Sequence, residues 1–429
     1  MTWWLAWVIS VSKLIAQAKP PTVDAWRVEL LFVCLDDRIL TMAVGDKAGL
    51  LDEMHPQSRY KTRILERYVK VFVGKVASAY PVFLVDGYAG TGSCGNEDGS
   101  AAILLSAAIN RQKSTSSQIR VRAVESKSDS FKQLESVFSA LSGTVDAKAI
   151  HGKIELELNK IADEAMGHAL FLFLDPYGAS FGFEQLVQVL SDRSSQPPTE
   201  LLLNLNAGMI KRNAGIIRSS QEGYEIPKVD KALGGQWWHK YCYSLDKDDL
   251  VEAVTTEYVQ RLADACSQKG KPFYGAFAPI YQTVSQVNHP YSLVFLTRRP
   301  DHGFPAFLNA VGASRPDFLE AAGDWSTGSE QDVFEGLETT EDYRGTAKKQ
   351  QTDSWIPVRS NIINLLTAGS SFYPAEEIKQ IYGDATGVAT ETQVNKVLRD
   401  LVKSGILQVT TSHKNPVFQR YRVQAATGN

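Results

Sequence analysis

The stretch from Pro81 to Gly92, PVFLVDGYAGTG, constrains this chain more than any other. Val82-Phe83-Leu84-Val85 is an unbroken apolar run, the pattern of a strand covered on both faces of a sheet. Asp86 closes the run, and Gly87-Tyr88-Ala89-Gly90-Thr91-Gly92 follows as a turn of small residues. A buried strand running into a glycine-rich loop is how a doubly wound sheet makes a nucleotide site beyond the strand's carboxyl end. Gly87, Gly90 and Gly92 let backbone approach a ligand, and Asp86 can receive a ligand amine or hydroxyl. The plainer alternative is a tight turn that binds nothing.

The following segments continue the α/β alternation. Ser100 to Arg111 is apolar and alanine-rich and predicts the first crossover helix. Ile119 to Val124 predicts the second strand, ending in Glu125, an acid placed to hold ribose hydroxyls. The gap from Asp86 to Glu125 exceeds the ~20 residues of a dinucleotide fold, and inserted loops at Asn96 to Gly99 and Gln112 to Gln118 account for it. Phe131 to Leu141 reads as a helix and Ala147 to His151 as a third strand. His151 near a strand end is a histidine of structural more than catalytic character. Ala169 to Leu174, ALFLFL, is the most apolar strand and belongs at the sheet centre. It runs into Asp175-Pro176-Tyr177-Gly178. Pro176 stiffens the loop, Tyr177 can stack on a planar ring, and Asp175 can accept hydrogen bonds from an exocyclic amine. Asp175 and Tyr177 are the candidate catalytic residues.

Glu200 to Asn206 predicts a fifth strand, with Lys211, Arg212 and Arg218 in a loop behind it. Trp237, Trp238 and Tyr241 read as packing. Val251 to Cys266 predicts a helix, and Ala278 to Ser285 with Tyr291 to Thr297 an antiparallel pair at the sheet edge. The fold expected is a Rossmann-like, doubly wound, mostly parallel sheet over residues 50–325. Ahead of that sheet, Tyr60 to Ala77 is an amphipathic helix. Arg59, Lys61, Arg63, Arg67, Lys70 and Lys75 lie off its apolar stripe, either a solvated face or a basic wall for phosphates beside the site.

Residues 326–354 are polar and acidic without periodicity and read as a linker. Residues 355–425 then form a separate unit. Helices are expected around Ile362 to Leu366, from Pro374-Ala375-Glu376-Glu377, and over Thr390 to Ser404 with Gly405 as the stop. Strands at Ile406 to Thr410 and Phe418 to Val423 complete a winged helix-turn-helix pattern. Lys396, Arg399 and Lys403 on its third helix, with Lys414 and Arg420 in the hairpin, are candidates for phosphate contact. A protein-binding winged helix fits the same pattern.

Net charge is −3, so nucleic-acid binding must come from local patches. The four cysteines, Cys34, Cys94, Cys242 and Cys266, form no paired motif, which points away from a zinc site or a disulfide framework and towards a reducing cytoplasm. Thr2 to Ala18 has an apolar core, yet no basic residue precedes it and Lys13 interrupts it. Residues 1–49 are read as an extension, with Met42 as the expected start of the protein.

His55 to Tyr68, DGYAGTG at Asp86 to Gly92, Asp98-Gly99-Ser100, Val124-Glu125, LDPYG at Leu174 to Gly178, ELLLNLNAGMIKR at Glu200 to Arg212 and the Tyr291-to-Gly303 segment together resemble the three-Cys-motif partner protein family (TcmP). The resemblance spans roughly residues 50–315. It implies a class I S-adenosylmethionine methyltransferase fold and a neighbouring partner protein bearing the three-cysteine motif. DGYAGTG is also similar to the loop of RNA guanine-N2 methyltransferases, and DPYG to that of tRNA guanine dimethyltransferases. Tyr88 departs from the commonest methyltransferase loop, where a first glycine sits. Tyr177 and Gly178 depart from Asp/Asn-Pro-Pro-Tyr. Two functions stay open: methyl transfer to nucleic acid, or a non-catalytic sensor or DNA-binding partner of the same fold. A nicotinamide oxidoreductase fits poorly, because no Gly-x-Gly-x-x-Gly completes the loop. Deleting residues 1–41 is expected to leave soluble expression intact. Loss of soluble protein on that deletion contradicts the Met42 start.

Overall fold

Seven strands form the central sheet: β1 (Val82–Asp86), β2 (Ile119–Glu125), β3 (Asp146–His151), β4 (Ala169–Leu174), β5 (Thr199–Asn206), β6 (Tyr274–Ile280) and β7 (Tyr291–Thr297). Their order across the sheet is β3-β2-β1-β4-β5-β7-β6. β1 pairs in parallel with both β2 and β4, while β7 runs antiparallel between β5 and β6. This is the Rossmann-like, doubly wound, mostly parallel sheet expected. The computed structural model describes residues 54–429, apart from 95–96, 142, 144, 177, 179–180, 220–224, 269, 285–288, 331–341, 370, 411–420 and 427–429.

Strand parity builds two cores. Val82 and Leu84 of β1 and Phe171 and Phe173 of β4 face one side, while Phe83, Val85, Leu170 and Leu172 face the other. Both sides are covered, so the strands read as continuous apolar runs instead of alternating ones. The first side is covered by α1 (Pro56–Val76) and α2 (Ser100–Gln112). The second is covered by α4 (Ile154–Glu164), α5 (Phe183–Asp192), α6 (Ala207–Arg218), α7 (Ile226–Leu233) and α9 (Lys247–Ser267). Helix α3 (Ser128–Leu141) packs at the β3 edge, and α8 (His239–Ser244) lies against α6.

Several local expectations change. The strand expected at Ala278 to Ser285 instead spans Tyr274–Ile280. A Cβ at Gly275 would lie 2.3 Å from Val259 Cγ1, so this strand glycine is where α9 crosses closely. Lys211, Arg212 and Arg218 lie in α6, not in a loop. Asn206 starts that helix, its Oδ1 accepting from the Met209 amide at 2.8 Å. Arg218 is spent on the carbonyls of Cys242 and Leu245. Trp238 is fully buried and donates to Asp230, as packing requires.

The largest element unread in the sequence is α10, Pro300–Glu330, which contains Pro305 and Pro316. A helix-interior proline orphans the carbonyl four residues back. For Pro316 that carbonyl is Gly312 O, and the side chain of Gln351 donates to it at 2.5 Å. Gln351 belongs to α11 (Tyr343–Asp353), a helix within the stretch read as a linker. Asp342 caps α11 by accepting from the Gly345 amide, and Ala347 buries it against α10.

The C-terminal unit holds α12 (Trp355–Ala368), α13 (Ile378–Tyr382) and α14 (Glu391–Lys403). A three-stranded antiparallel sheet joins them, β8 (Ser371–Phe372), β9 (Leu407–Val409) and β10 (Val423–Ala425), in the order β8-β10-β9. Pro374 to Glu377 form a turn and not the helix opening expected; the helix begins at Ile378. Gln393 Oε1 accepts from the Thr390 amide at 3.0 Å, closing the capping box of α14. The expected hairpin tip, with Lys414 and Arg420, lies outside the described residues. This unit is not separate in its packing, because its core is continuous with that of α1 and α10. Among the described residues no helix is long and apolar enough to cross a membrane.

A Cβ at Gly312 would lie 2.1 Å from the Ala389 carbonyl oxygen, so α10 and the C-terminal unit meet backbone to backbone there. Gly312→Val is expected to destabilise the protein by about 1–3 kcal/mol through overpacking. A urea midpoint equal to wild type refutes that docking.

Candidate functional site

The topological switch point, where doubly wound sheets open their binding crevice, falls where β1 sits between β2 and β4 and the strand order reverses. Asp86 ends β1, opposite Ala123 of β2 and Phe173 of β4. The backbone beyond it is tied to both neighbours. The Gly87 amide donates to Phe173 O at 2.9 Å, and the Ala89 amide to Val124 O at 3.0 Å. Gly90 has φ +59° and Gly92 φ +81°, values that favour glycine. A Cβ at Gly90 would meet open space, whereas one at Gly87 would lie 2.4 Å from Leu174 Cδ2. Gly87 is therefore required by packing, and Gly90 by its backbone at an open face. Tyr88, which stands where a glycine is common, turns its hydroxyl to Glu155 at 2.7 Å.

Asp86 is fully buried. Its Oδ1 accepts from the Tyr88 amide at 3.0 Å, while Oδ2 is buried with no partner in full hydrogen-bonding geometry among the described residues, the Ser100 side chain alone acting on the carboxyl as a side-chain donor. Burial pushes its carboxyl up to about 7, with Asp175 and Glu125 adding to the rise and Ser100 and the Tyr88 amide opposing it. Glu125 is spent on the loop: Oε2 accepts from the Gly90 amide at 2.9 Å and Oε1 from the Lys127 amide at 2.7 Å. Each oxygen keeps a second lone pair for a ligand hydroxyl.

Asp175, at the end of β4, is held from two sides. Lys61 Nζ of α1 lies 2.6 Å from Oδ2, and Asn204 Nδ2 of β5 lies 2.5 Å from Oδ1. Lys61 also sits 4.9 Å from the Tyr291 ring centroid. Asn204 Oδ1 is itself buried without a partner among the described residues. Both residues escape the sequence reading. Lys61 reads there as one of the polar-face cations, but it is buried on the apolar stripe with Ile64, Leu65 and Tyr68. A lysine at i, i+3, i+4, i+7 spacing among apolar residues is the available signal. Asn204 is hidden by the strand pattern around it.

Asp86, Gly87, Gly90, Gly92, Glu125 and Asp175 thus converge, and Tyr177 lies outside the described residues. His151 is exposed at the end of β3 and stacks on Phe131 at 4.9 Å. Lys396, Arg399 and Lys403 lie far along the chain on the exposed face of α14.

No protein-family model matches the chain, and no curated protein matches it significantly. Among solved structures it is similar to an inferred rRNA-methylase from Clostridium thermocellum, at 13% identity and TM-score 0.28 over 53% of this chain and 93% of that one. It is also similar to Aeropyrum pernix fibrillarin in complex with S-adenosyl-L-methionine, at 10% identity and TM-score 0.28 over 56% and 76% of the two chains. A third is the mycolic acid cyclopropane synthase CmaA1, at 10% identity and TM-score 0.25 over 53% and 86%. Scores this low carry no argument about this chain, whose fold is read from its sheet order and register.

Because the folded Asp86 carboxyl titrates above its unfolded value of 3.8, the native state holds its proton longer. Asp86 therefore stabilises the fold least above about pH 7 and progressively more as pH falls towards about 4. Asp86→Asn is expected to gain stability over wild type as pH rises through that window, on the order of 1–4 kcal/mol at its top. Urea midpoints that differ by a constant amount across the window contradict the burial argument.

Proposed function

We propose that the chain is an S-adenosylmethionine-dependent methyltransferase acting on a base amine of nucleic acid. The observation that carries this reading is the buried Asp86 carboxyl, its Oδ2 out of full hydrogen-bonding geometry, at the end of β1 where the loop with the open face at Gly90 begins. An unsatisfied buried oxygen costs about 1–3 kcal/mol, which a ligand ammonium would recover. Asp86 would take that ammonium, the loop backbone would lie against the methionine part, and Glu125 would hold a ribose hydroxyl. When bound, the cofactor supplies an electrophilic methyl group. The chain's own residues have little covalent work; they orient the acceptor and exclude water. Asp175 would accept a hydrogen bond from the target amine and then its proton, while Lys61 and Asn204 keep the carboxylate in place. Tyr177 is assigned stacking on the base from the sequence alone.

Lys396, Arg399 and Lys403 on the exposed face of α14 support a nucleic-acid acceptor. The similarity to three-Cys-motif partner proteins fits the reading and adds a neighbouring protein as partner. Cys242 and Cys266 are free and buried, their thiols pushed up to about 11 and about 12 by burial, which suits a reducing cytoplasm.

One observation favours a second reading. Both oxygens of Asp175 are engaged by Lys61 and Asn204, as a structural acid would be, and a cofactor-binding sensor needs no acceptor site. Titration calorimetry with S-adenosylmethionine and a labelled-methyl assay on cellular tRNA, rRNA and DNA separate the two. Wild type is expected to bind and to transfer methyl groups. Gly90→Val should abolish binding, since a β-branched residue is strained at φ +59° and fills the open face. Asp175→Ala should keep most cofactor affinity and lose transfer. Tight binding without incorporation into any pool gives the sensor; retained affinity in Gly90→Val overturns the loop assignment.

A further inference from the structure

Beside the crevice runs a groove of about 730 Å³ between α1 and α10. On the α1 wall stand Arg59, Arg63, Arg67 and Lys70, spaced at i, i+4, i+8 and i+11. That spacing keeps them on one helix face over about 16 Å. The opposite wall, on α10, carries Asn309, Asp317 and Glu320.

We infer that this groove is a track for the phosphate backbone of a single-stranded nucleic acid, leading from the C-terminal unit to the crevice. The inference takes its ligand class from the function proposed above, but it does not depend on methyl transfer.

The two ends of the groove carry the argument. At one end Arg59 Nε donates to Glu97 at 3.1 Å. Glu97 belongs to the short hairpin of Ser93–Cys94 and Glu97–Asp98, which returns to the glycine loop through the Gly99 amide on Gly92 O. At the other end Asn309 Oδ1 accepts from the amide of Glu391, the first residue of α14. That helix presents Lys396, Arg399 and Lys403 to solvent. A strand lying in the groove would thus meet cations along its length, from Arg59 beside the hairpin of the glycine loop towards Asn309 at the start of α14.

The cations are paired within the protein, but in a way a phosphate can displace. Glu66 is shared by Arg63 at 3.0 Å and Lys70 at 2.6 Å. Asp317 is shared by Arg67 at 3.1 Å and Arg344 of α11 at 3.2 Å, and Arg344 also reaches Glu320. Five cations face four carboxylates, Glu97 included, so the lining is net positive. Arg63, Arg67, Lys70 and Arg344 are each 44–57% exposed, and exposed pairs of this kind contribute little to stability. Guanidinium groups bind phosphate oxygens in bidentate fashion, so exchanging a shared carboxylate for a phosphate costs the protein little. A recess between two helices admits one strand, and an enzyme acting on a base needs that base out of its stack.

The test is anisotropy of a fluorescein-labelled oligouridylate against salt, on the full chain, with the matching duplex and inorganic phosphate as competitors. S-adenosylmethionine titration is run on the same variants. Arg63→Gln with Arg67→Gln should lower affinity at least tenfold and reduce the slope of log K against log salt by about 0.7 for each phosphate no longer neutralised. Asp317→Asn removes the carboxylate shared by Arg67 and Arg344 and should tighten binding, an effect that a purely structural ion pair would not give. Competition by the duplex as strong as by the single strand, or displacement by phosphate alone at equal affinity, overturns the single-strand track. So does an unchanged slope in the double variant, or no binding by wild type. Groove-dependent oligonucleotide binding in a protein that fails to bind S-adenosylmethionine leaves the track standing and removes the methyltransferase reading.

Discussion

Everything in this site depends on how the backbone leaves β1. The strand is buried on both faces, and the amides of Gly87, Ala89 and Gly90 that follow Asp86 all find partners within the protein. Gly87 spends its amide on β4, Ala89 on β2, and Gly90 on the Glu125 carboxylate. These bonds fix the loop across the sheet's reversal point and bring three carboxylates, Asp86, Glu125 and Asp175, within electrostatic reach of one another. Two of the three are satisfied from within the protein, Glu125 by loop amides and Asp175 by Lys61 and Asn204. Asp86 is left with a buried oxygen out of full hydrogen-bonding geometry, and the proposed ligand site rests on that asymmetry.

Helix α1 does more than cover the sheet. Its apolar stripe packs Tyr68 on Phe171 and Phe295, while Tyr68 also donates to the buried Glu200. Lys61 on the same stripe reaches over the strand ends to Asp175. The helix that closes one core therefore also holds the Asp175 carboxylate at the end of β4, and its outward cations form one wall of the adjoining groove.

The sheet was legible because covering both faces leaves unbroken apolar runs such as Val82 to Val85 and Ala169 to Leu174, each ended by an acid. The glycine loop was legible for a similar local reason. Lys61 and Asn204 were not, because each acquires its role from a partner far along the chain: 114 residues separate Lys61 from Asp175. Helix α10 was hidden by Pro305 and Pro316, which local rules treat as breakers. Only the tertiary contact from Gln351 to Gly312 O shows how one of them is accommodated. Within the stretch read as a linker, Tyr343–Asp353 escaped the reading for the same reason: α11 is held by its cap on Asp342 and by Arg344 pairing with α10, while residues 331–341 lie outside the described residues.

The most direct test of the central claim is proton release on cofactor binding. If the S-adenosylmethionine ammonium meets Asp86, it must pull the carboxyl below its ligand-free value of about 7. Calorimetry near that pH, in buffers of different ionisation enthalpy, should then show a fraction of a proton released per site, and Asp86→Asn should abolish the release. Binding with heats independent of the buffer would contradict the assignment of Asp86, and no binding at all would contradict the account of the crevice.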